Sequence, residues 1–288
     1  MTRLLISVII ITYNRSFVIK RAIESVLKQT YKDLEIILID DASSDNTHEI
    51  ISSITDDRVK LVRHDKNKGV AVSRNTGLKN SKGEFITFLD DDDEWLPEKL
   101  QTQLDLFKKL NSDVGLIYTN GFSEDEGRIF ITERINSKVI YDPSKDKFFP
   151  LRVLITPPSS WMLPMEVIKR IGYFDEAMYN NWDDGDYFVR IARKYKIYFL
   201  NKNLVTWHIL KSHVNMVTPE LIKGKEVFLK KNFELLKKDK GYLFRFYRTM
   251  GKDSLKLDKK RARYYLLKAL CLRTFDLSVI SKIARTFG

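Results

Sequence analysis

Cysteine is nearly absent: Cys271 is the only one in 288 residues. That excludes an intrachain disulfide framework and a zinc site built on cysteines, and it suits a reducing, cytoplasmic setting. Long apolar runs are missing too, since none approaches the ~20 residues that span a bilayer. The longest, Leu4 to Ile11, carries Ser7 and runs at once into Thr12-Tyr13-Asn14-Arg15, with no small-residue cleavage site after it. Neither an anchor nor a secretory signal is expected from it. The glycine signatures of nucleotide binding are lacking as well. No G-x-G-x-x-G follows the first apolar run and no G-x-x-x-x-G-K-[ST] occurs, which argues against a Rossmann dehydrogenase and a P-loop NTPase. There is no internal repeat and no low-complexity segment.

What is present is the composition of a globular protein, 43% hydrophobic and 31% charged. The net charge of +12 is unevenly placed. From Pro219 to Gly288 there are 19 Lys and Arg against 7 Asp and Glu, while residues 1–218 hold 31 of each. A neutral body with a basic extension implies an anionic partner, membrane surface or nucleic acid. The extension has no zinc spacing and no recognisable nucleic-acid motif, and nucleic-acid binding would leave the acidic features of the body unexplained, so a membrane is the expected partner.

The first half alternates strands with helices. Buried strands are expected at Leu5–Ile11, Glu35–Ile39, Val59–Val62, Phe85–Leu89 and Val114–Thr119, with helices at Phe17–Leu27, Thr47–Ile54, Val70–Leu78 and Pro97–Leu110. Strands separated by helices imply an α/β fold, a mostly parallel sheet flanked by helices. Beyond Thr119 the rhythm breaks. Short strands are expected at Arg128–Thr132, Lys138–Tyr141, Ser160–Leu163 and Ile197–Leu200, and helices at Pro164–Ile171 and Asp186–Tyr195. From Thr218 the chain reads as helical and basic.

In open α/β sheets ligands bind beyond the carboxyl ends of the strands. Three of those ends are polar here: Thr12-Tyr13-Asn14-Arg15, Asp40-Asp41 and Asp90-Asp91-Asp92-Asp93. Four successive aspartates repel one another unless something neutralises them. A hard divalent cation, Mg²⁺ or Mn²⁺ with phosphate oxygens completing its shell, would do so. Asp90 and Asp92, two residues apart in extended chain, point the same way. The plain alternative is a solvated turn with Asp93 capping the next helix.

At this point the chain resembles the family 2 glycosyltransferases, which are inverting, nucleotide-sugar-dependent enzymes with the GT-A fold. The resemblance rests on SVIIITYNR (7–15), EIILIDDASSDNT (35–47), NKGVAVSRNTGLKNSKGEFITFLDDDDEWLPEKL (67–100) and IGYFDEAMYNNWDDGDYFVRIA (171–192), in the right order from residue 5 to about 210. It implies a GT-A domain over 1–218, with a nucleotide-binding half (1–119) and an acceptor-binding half (120–218), followed by the basic helical extension 219–288. Thr12 and Asp41 would meet the base and ribose with Tyr13 and Arg15 beside them, and Asp40 would order the turn. Arg74 would reach the donor nucleotide. Asp90 and Asp92 match the D-x-D element, with Asp92 the principal metal ligand, Asp90 nearer the ribose, and Asp91 an acidic position of some relatives. Asp184 would be the catalytic base and Asp183 its acidic neighbour, although either could simply cap the helix they open. His208 would be a further metal ligand, with His213 its competitor. Trp161, Trp182 and Asp183 would line the acceptor side, unless the tryptophans are ordinary core residues.

The expected reaction is transfer of a sugar, from UDP by preference, to a hydroxyl of a surface glycan or lipid-linked saccharide, helped by Mn²⁺ or Mg²⁺. The expected place is the inner face of the cytoplasmic membrane, contacted peripherally through 219–288 and its cluster Lys259-Lys260-Arg261-Ala262-Arg263. A metal-dependent nucleotidyltransferase and a non-catalytic nucleotide-sugar or membrane-binding module are the competing readings.

Overall fold

In the computed structural model of the chain, which describes residues 4–125, 128–131, 140–144, 157–178, 182–209, 217–273 and 276–287, the early apolar runs become one parallel sheet. Its strands are β1 (Ile6–Thr12), β2 (Leu34–Asp40), β3 (Val59–Arg63) and β4 (Phe85–Asp90), in the order β3-β2-β1-β4. β9 (Leu163–Pro164) adds antiparallel to β4 at the edge. Successive side chains of a strand point to opposite faces, and each face here has its own core. Ile6, Val8 and Ile10 join α1 (Ile19–Leu27) and α4 (Lys99–Lys109) on one face. Ile9, Ile37 and Phe88 join α3 (Val70–Asn80), α5 (Met165–Ile171) and α6 (Asp183–Ala192) on the other. α3 lies so close that a Cβ on Gly77 would sit 2.4 Å from Ile9 Cγ2. The short α2 (Thr47–Ser52) follows β2.

The fifth run does not continue this sheet. β6 (Val114–Asp125) pairs in parallel with β10 (Lys196–His208) in a second sheet, ordered β5-β10-β6-β7 with β5 (Glu94–Trp95) and β7 (Arg128–Ile131), and β8 (Ile140–Tyr141) also pairs with β10. A bridge from Ile117 to Met162 links the second sheet to the chain leading into β9. β6 and β10 both outrun the apolar segments that mark them, because pairing continues through polar residues. The strand expected at Ser160–Leu163 begins instead as a 3₁₀ turn at Pro158–Ser160, where Pro157 and Pro158 restrict the backbone.

Lys99 is fully buried between the two sheets. Its Nζ donates to Gln103 Oε1 (2.8 Å) and Thr87 Oγ1 (3.3 Å) and lies 3.9 Å over the Trp95 ring. Burial pushes this amine well below its ordinary value. The unfolded chain therefore binds a proton at Lys99 that the folded chain binds weakly, so stability rises with pH up to about 10.4. Urea unfolding at stepped pH should show the wild type gaining up to about 1.4 kcal/mol per pH unit over Lys99→Met within that window. Equal slopes for the two proteins would refute it.

The C-terminal region forms α7 (Pro219–Leu236), α8 (Lys240–Ser254), α9 (Lys259–Leu272) and α10 (Leu277–Ala284). Thr218, Asp239, Asp258 and Asp276 cap their N-termini, which engages three of the region's few acids and leaves a basic surface. The helices share a core with the body: Phe228, Leu236, Phe246, Met250 and Leu266 pack with Met178 and Val189. Lys231 reaches Asp175 (2.7 Å) and Asp186 (3.0 Å), and Arg193 donates to Asn232 Oδ1 (2.9 Å). No helix among the described residues is long and apolar enough to cross a membrane.

Candidate active site

The parallel strands end on one rim, and a cleft of about 490 Å³ opens there. Thr12, Tyr13 and Arg15 after β1, Asp41 after β2, and Asp90, Asp91 and Asp92 after β4 line it. α3 adds Ser73 and Arg74, entered through Asn67 and Gly69, and α6 adds Trp182, Asp183 and Asp184. The sequence thus points to most of the wall.

The aspartate run is divided by its surroundings. Asp91 Oδ2 accepts from Thr12 Oγ1 at 2.6 Å, with Arg15 Nε 3.8 Å from Oδ1. Burial still pushes Asp91 up to about 7, with Asp92 and Asp90 adding to the rise. Asp93 turns inward and accepts from Ser159 Oγ at 2.6 Å, and the same hydroxyl accepts from the Asp90 amide at 3.1 Å. Burial, then Asp90 and Asp92, push Asp93 well above the usual carboxylate range. Asp93 is therefore no helix cap, and α4 starts six residues later, at Lys99. Arg21 Nη2 donates to the Asp92 carbonyl (2.8 Å) and fixes the turn from outside.

Arg74 joins the two acidic groups. Its Nη1 donates to Asp183 Oδ2 at 2.6 Å and its Nη2 to Asp90 Oδ1 at 3.2 Å, with only 6% of the residue exposed. Burial alone would lower its proton affinity, but Asp183, Asp90 and Asp184 raise it. The guanidinium also lies 5.6 Å over the Phe174 ring. Arg74 is thus first a tie between the aspartate strand end and α6.

α6 opens without a capping side chain, after Trp182 in a left-handed conformation (φ 75°). Asp183, Asp184 and Asp186 fill its first turn, where the helix dipole favours carboxylates. Asp184 Oδ1 accepts from the Gly185 amide at 2.7 Å. Burial and Asp183 raise its pKa to about 6, against the pull of Arg74 and Gly185 N–H, with Asp90 adding to the rise. Asn14 (φ 53°) and Ala42 (φ 65°) are the other non-glycine residues of positive φ among the described residues, and each adjoins a cleft residue. Such strain gathers where surroundings over-determine the backbone.

Asp41 spends its carboxylate on a loop: it accepts from His64 Nδ1 (2.7 Å), Lys68 N (2.9 Å) and Gly69 N (2.8 Å), and so shapes the entry to α3. Asp40 accepts from Ser43 N (2.8 Å) and orders the turn, as expected.

Two expected members stand elsewhere. Trp161 is fully buried, packed on Phe188 (5.9 Å) in the body's core, and cannot stack on a sugar. His208 is not among the residues that line the cleft: its Nδ1 lies 2.6 Å from Glu124 and its Nε2 2.8 Å from Glu94, so both ring nitrogens are engaged by glutamates, while its backbone meets Asp93. His213 falls outside the described residues. Among the described residues no three His, Cys, Asp or Glu side chains converge as a metal cage. Residues that sequence reading missed hold the site from behind. Asn75 exchanges hydrogen bonds with the backbone of Phe174 (3.0 and 2.9 Å), and Ser159 bridges Asp90 and Asp93. The only sequence signal for the first is its place next to Arg74.

Residues 7–172 match the "Glycosyl transferase family 2" profile. The chain is 43% identical over 116 residues to the UDP-Glc:alpha-D-GlcNAc-diphosphoundecaprenol beta-1,3-glucosyltransferase WfgD of Escherichia coli, covering 40% of this chain and 45% of that protein. It is 31% identical over 209 residues to an uncharacterized glycosyltransferase of Rickettsia typhi, covering 70% of this chain and 63% of the other. The chain thus spans less than two thirds of either relative. In three dimensions it is similar to the mannosyltransferase PcManGT from Pyrobaculum calidifontis in complex with GDP-Man and Mn2+, with a TM-score of 0.63, 17% identity, and coverage of 98% of this chain and 79% of that one. With the sheet, the rim and these likenesses together, the chain belongs to glycosyl transferase family 2 and has the GT-A fold.

Proposed function

We propose that the chain transfers a sugar from a UDP-sugar to a hydroxyl of a lipid-diphosphate-linked saccharide, with inversion. The observation that carries this is Arg74 tying Asp183 to Asp90, which sets Asp184 in the same cleft as Asp90, Asp91 and Asp92. Thr12, Tyr13 and Arg15 hold the nucleotide end. Asp184 takes the proton of the acceptor hydroxyl as that oxygen bonds to the anomeric carbon, the bond from that carbon to the phosphate oxygen breaks, and the nucleoside diphosphate leaves with the electron pair. One carboxylate and one displacement give inversion. Trp182 offers a ring to the acceptor. The WfgD relative supports the donor and acceptor class, its name giving UDP-Glc and a diphosphoundecaprenol acceptor.

The donor set fits a hard divalent cation. Asp90, Asp91 and Asp92 bring three carboxylates to the cleft wall, and Mg²⁺ and Mn²⁺ bind through one or two carboxylates plus phosphate oxygens. Asp92, with Asp90, would hold it. When bound, it would stabilise the charge on the departing diphosphate.

A panel of nucleotide sugars with and without Mn²⁺, scored by thermal stabilisation and then by product, tests the reading. UDP-sugars should stabilise the protein, and turnover should release UDP, whereas a nucleotidyltransferase would consume a nucleoside triphosphate and release pyrophosphate. Asp92→Asn should lose most of the Mn²⁺-dependent stabilisation, on the order of 1 to 3 kcal/mol at saturating donor. Undiminished stabilisation would remove Asp92 from the metal site.

The proposed working place is the inner face of the membrane. Leu277, Ile280 and Phe287 are exposed beside Lys282 and Arg285, an apolar and basic edge suited to anionic lipid.

A further inference from the structure

Two cavities at the C-terminal helices share wall residues with the cleft or with each other. Trp182 lines both the cleft and a cavity of about 180 Å³ that Tyr242 and Arg245 also line. Arg245 in turn lines a third cavity, of about 400 Å³, together with Lys240, Phe244, Arg248 and Arg273. The walls are therefore shared in sequence: cleft, Trp182, small cavity, Arg245, basic cavity.

We propose that the basic cavity walled by Lys240, Arg245, Arg248 and Arg273 holds the diphosphate of the acceptor, while the acceptor's sugar reaches past Arg245 and Trp182 to Asp184. The inference rests on the glycosyl-transfer reading above.

Four cations wall one cavity, and the other described lining residues, Gly241, Phe244 and Leu272, carry no charge; one acid is near, since Arg248 helps hold Asp276 below the usual carboxylate range. Arg245 lies over Tyr242 (5.8 Å), and Arg248 and Arg273 lie over Phe244 (5.7 and 5.4 Å). A guanidinium placed on a ring face is held in orientation while its in-plane N–H donors stay available. Such donors match phosphate oxygens in pairs. The acids nearest in sequence serve as helix caps: Asp239 accepts from Tyr242 N at 2.9 Å and Asp276 from Val279 N at 3.1 Å. Arg273 lies four residues before α10, whose Leu277 is 80% and Ile280 41% exposed. A diphosphate in the cavity would then sit beside the apolar edge proposed to meet the membrane, at the level where a lipid-linked diphosphate emerges from a bilayer.

The same donors could serve the phosphate of a membrane phospholipid, and the test separates the two sources. Transfer is measured with a panel of sugars presented as alkyl diphosphates and the same sugars as alkyl glycosides, both in detergent. The readout is the ratio of kcat/KM between the two acceptor types. Arg245→Gln and Arg248→Gln, singly and together, should lower that preference at least tenfold, with melting temperature as the check on folding. Arg248→Lys, which keeps the charge and loses the paired donors, should fall between. Flotation with phosphatidylglycerol vesicles forms the second arm. A preference that survives Arg245→Gln and Arg248→Gln overturns the site, and loss of vesicle binding with the preference intact reassigns the cavity to phospholipid and overturns it too. If the unaltered enzyme transfers to neither acceptor type from any UDP-sugar, the glycosyl-transfer reading itself fails, which is distinguishable because the unaltered enzyme alone decides it.

Discussion

Asp184→Asn should lower turnover by about a thousandfold while leaving UDP-sugar binding in place, since removing a positioned general base typically costs roughly 10² to 10⁴ in rate. The side chain keeps its shape and its place at the start of α6, so what changes is the capacity to take a proton. The pH profile carries the same signature. Asp184 titrates at about 6, raised by burial and Asp183, and only its carboxylate can act as base. In the wild type kcat/KM should therefore fall about tenfold per pH unit below pH 6 and level off above it, and the residual rate of Asp184→Asn should lack that limb. Stability moves the other way. A carboxyl whose folded pKa lies above its unfolded value of about 3.9 destabilises the folded state fully above pH 6 and not at all well below 4. The substitution removes a charge that Asp183 and Asp90 repel, so the variant should melt a few degrees higher at pH 7.5, a gain of order 1 to 2 kcal/mol. A variant that keeps full turnover, or loses activity together with its fold, would sink the assignment.

The rim is legible because its chemistry is written at strand ends. A β-branched run stopped by TYNR, another by DD and a third by DDDD can be placed without knowing the fold, since parallel strands deliver their carboxyl ends to one edge. What cannot be read are pairings across long stretches of chain. His208 sits between Glu94 and Glu124, which are 114 and 84 residues away, and nothing local to His208 announces them. Trp161 looks like a sugar platform beside Pro157 and Pro158, yet its ring is spent on Phe188. Asp41 looks like a ligand group, but its carboxylate also has a loop to hold, His64 to Gly69. β6 follows the helix–strand rhythm that forms the first sheet and still leaves it, because its partner is β10, some eighty residues on. The tail reads as helical from its pattern and is so, and its N-caps are local signals, but its docking on α6 is made of contacts that local pattern does not carry.

Ending the chain at Thr218 should abolish donor binding and activity, and leave a fragment that aggregates or fails to melt cooperatively. The charge asymmetry invites the opposite expectation, that the basic extension only sets location. Packing decides against it. Trp182, a wall of the cleft, has Phe228 at 5.0 Å and Phe246 at 5.3 Å from its ring, and both belong to the extension. Met178 and Val189 share that core, and Lys231 faces Asp186 inside the first turn of α6. Uncovering a buried Val, Met or Phe costs roughly 1.5 to 3 kcal/mol each, and a few such losses consume the roughly 5 to 15 kcal/mol by which most domains are stable. The charge itself is also not all for export. Within the densest cluster Arg263 bonds Thr286 (3.0 Å to Oγ1, 2.8 Å to the carbonyl) and Arg261 faces Glu226 at 3.6 Å, while Lys259 and Lys260 are exposed. Location and architecture should therefore separate by residue, not by segment. Lys259→Glu with Lys260→Glu should weaken binding to anionic vesicles several-fold, each lysine near such a surface contributing about 1 kcal/mol, with melting temperature and turnover on a detergent-solubilised acceptor unchanged. A soluble 1–218 fragment that binds donor and transfers sugar would show that the extension is an appendage after all, and that α6 holds Trp182 in place without it.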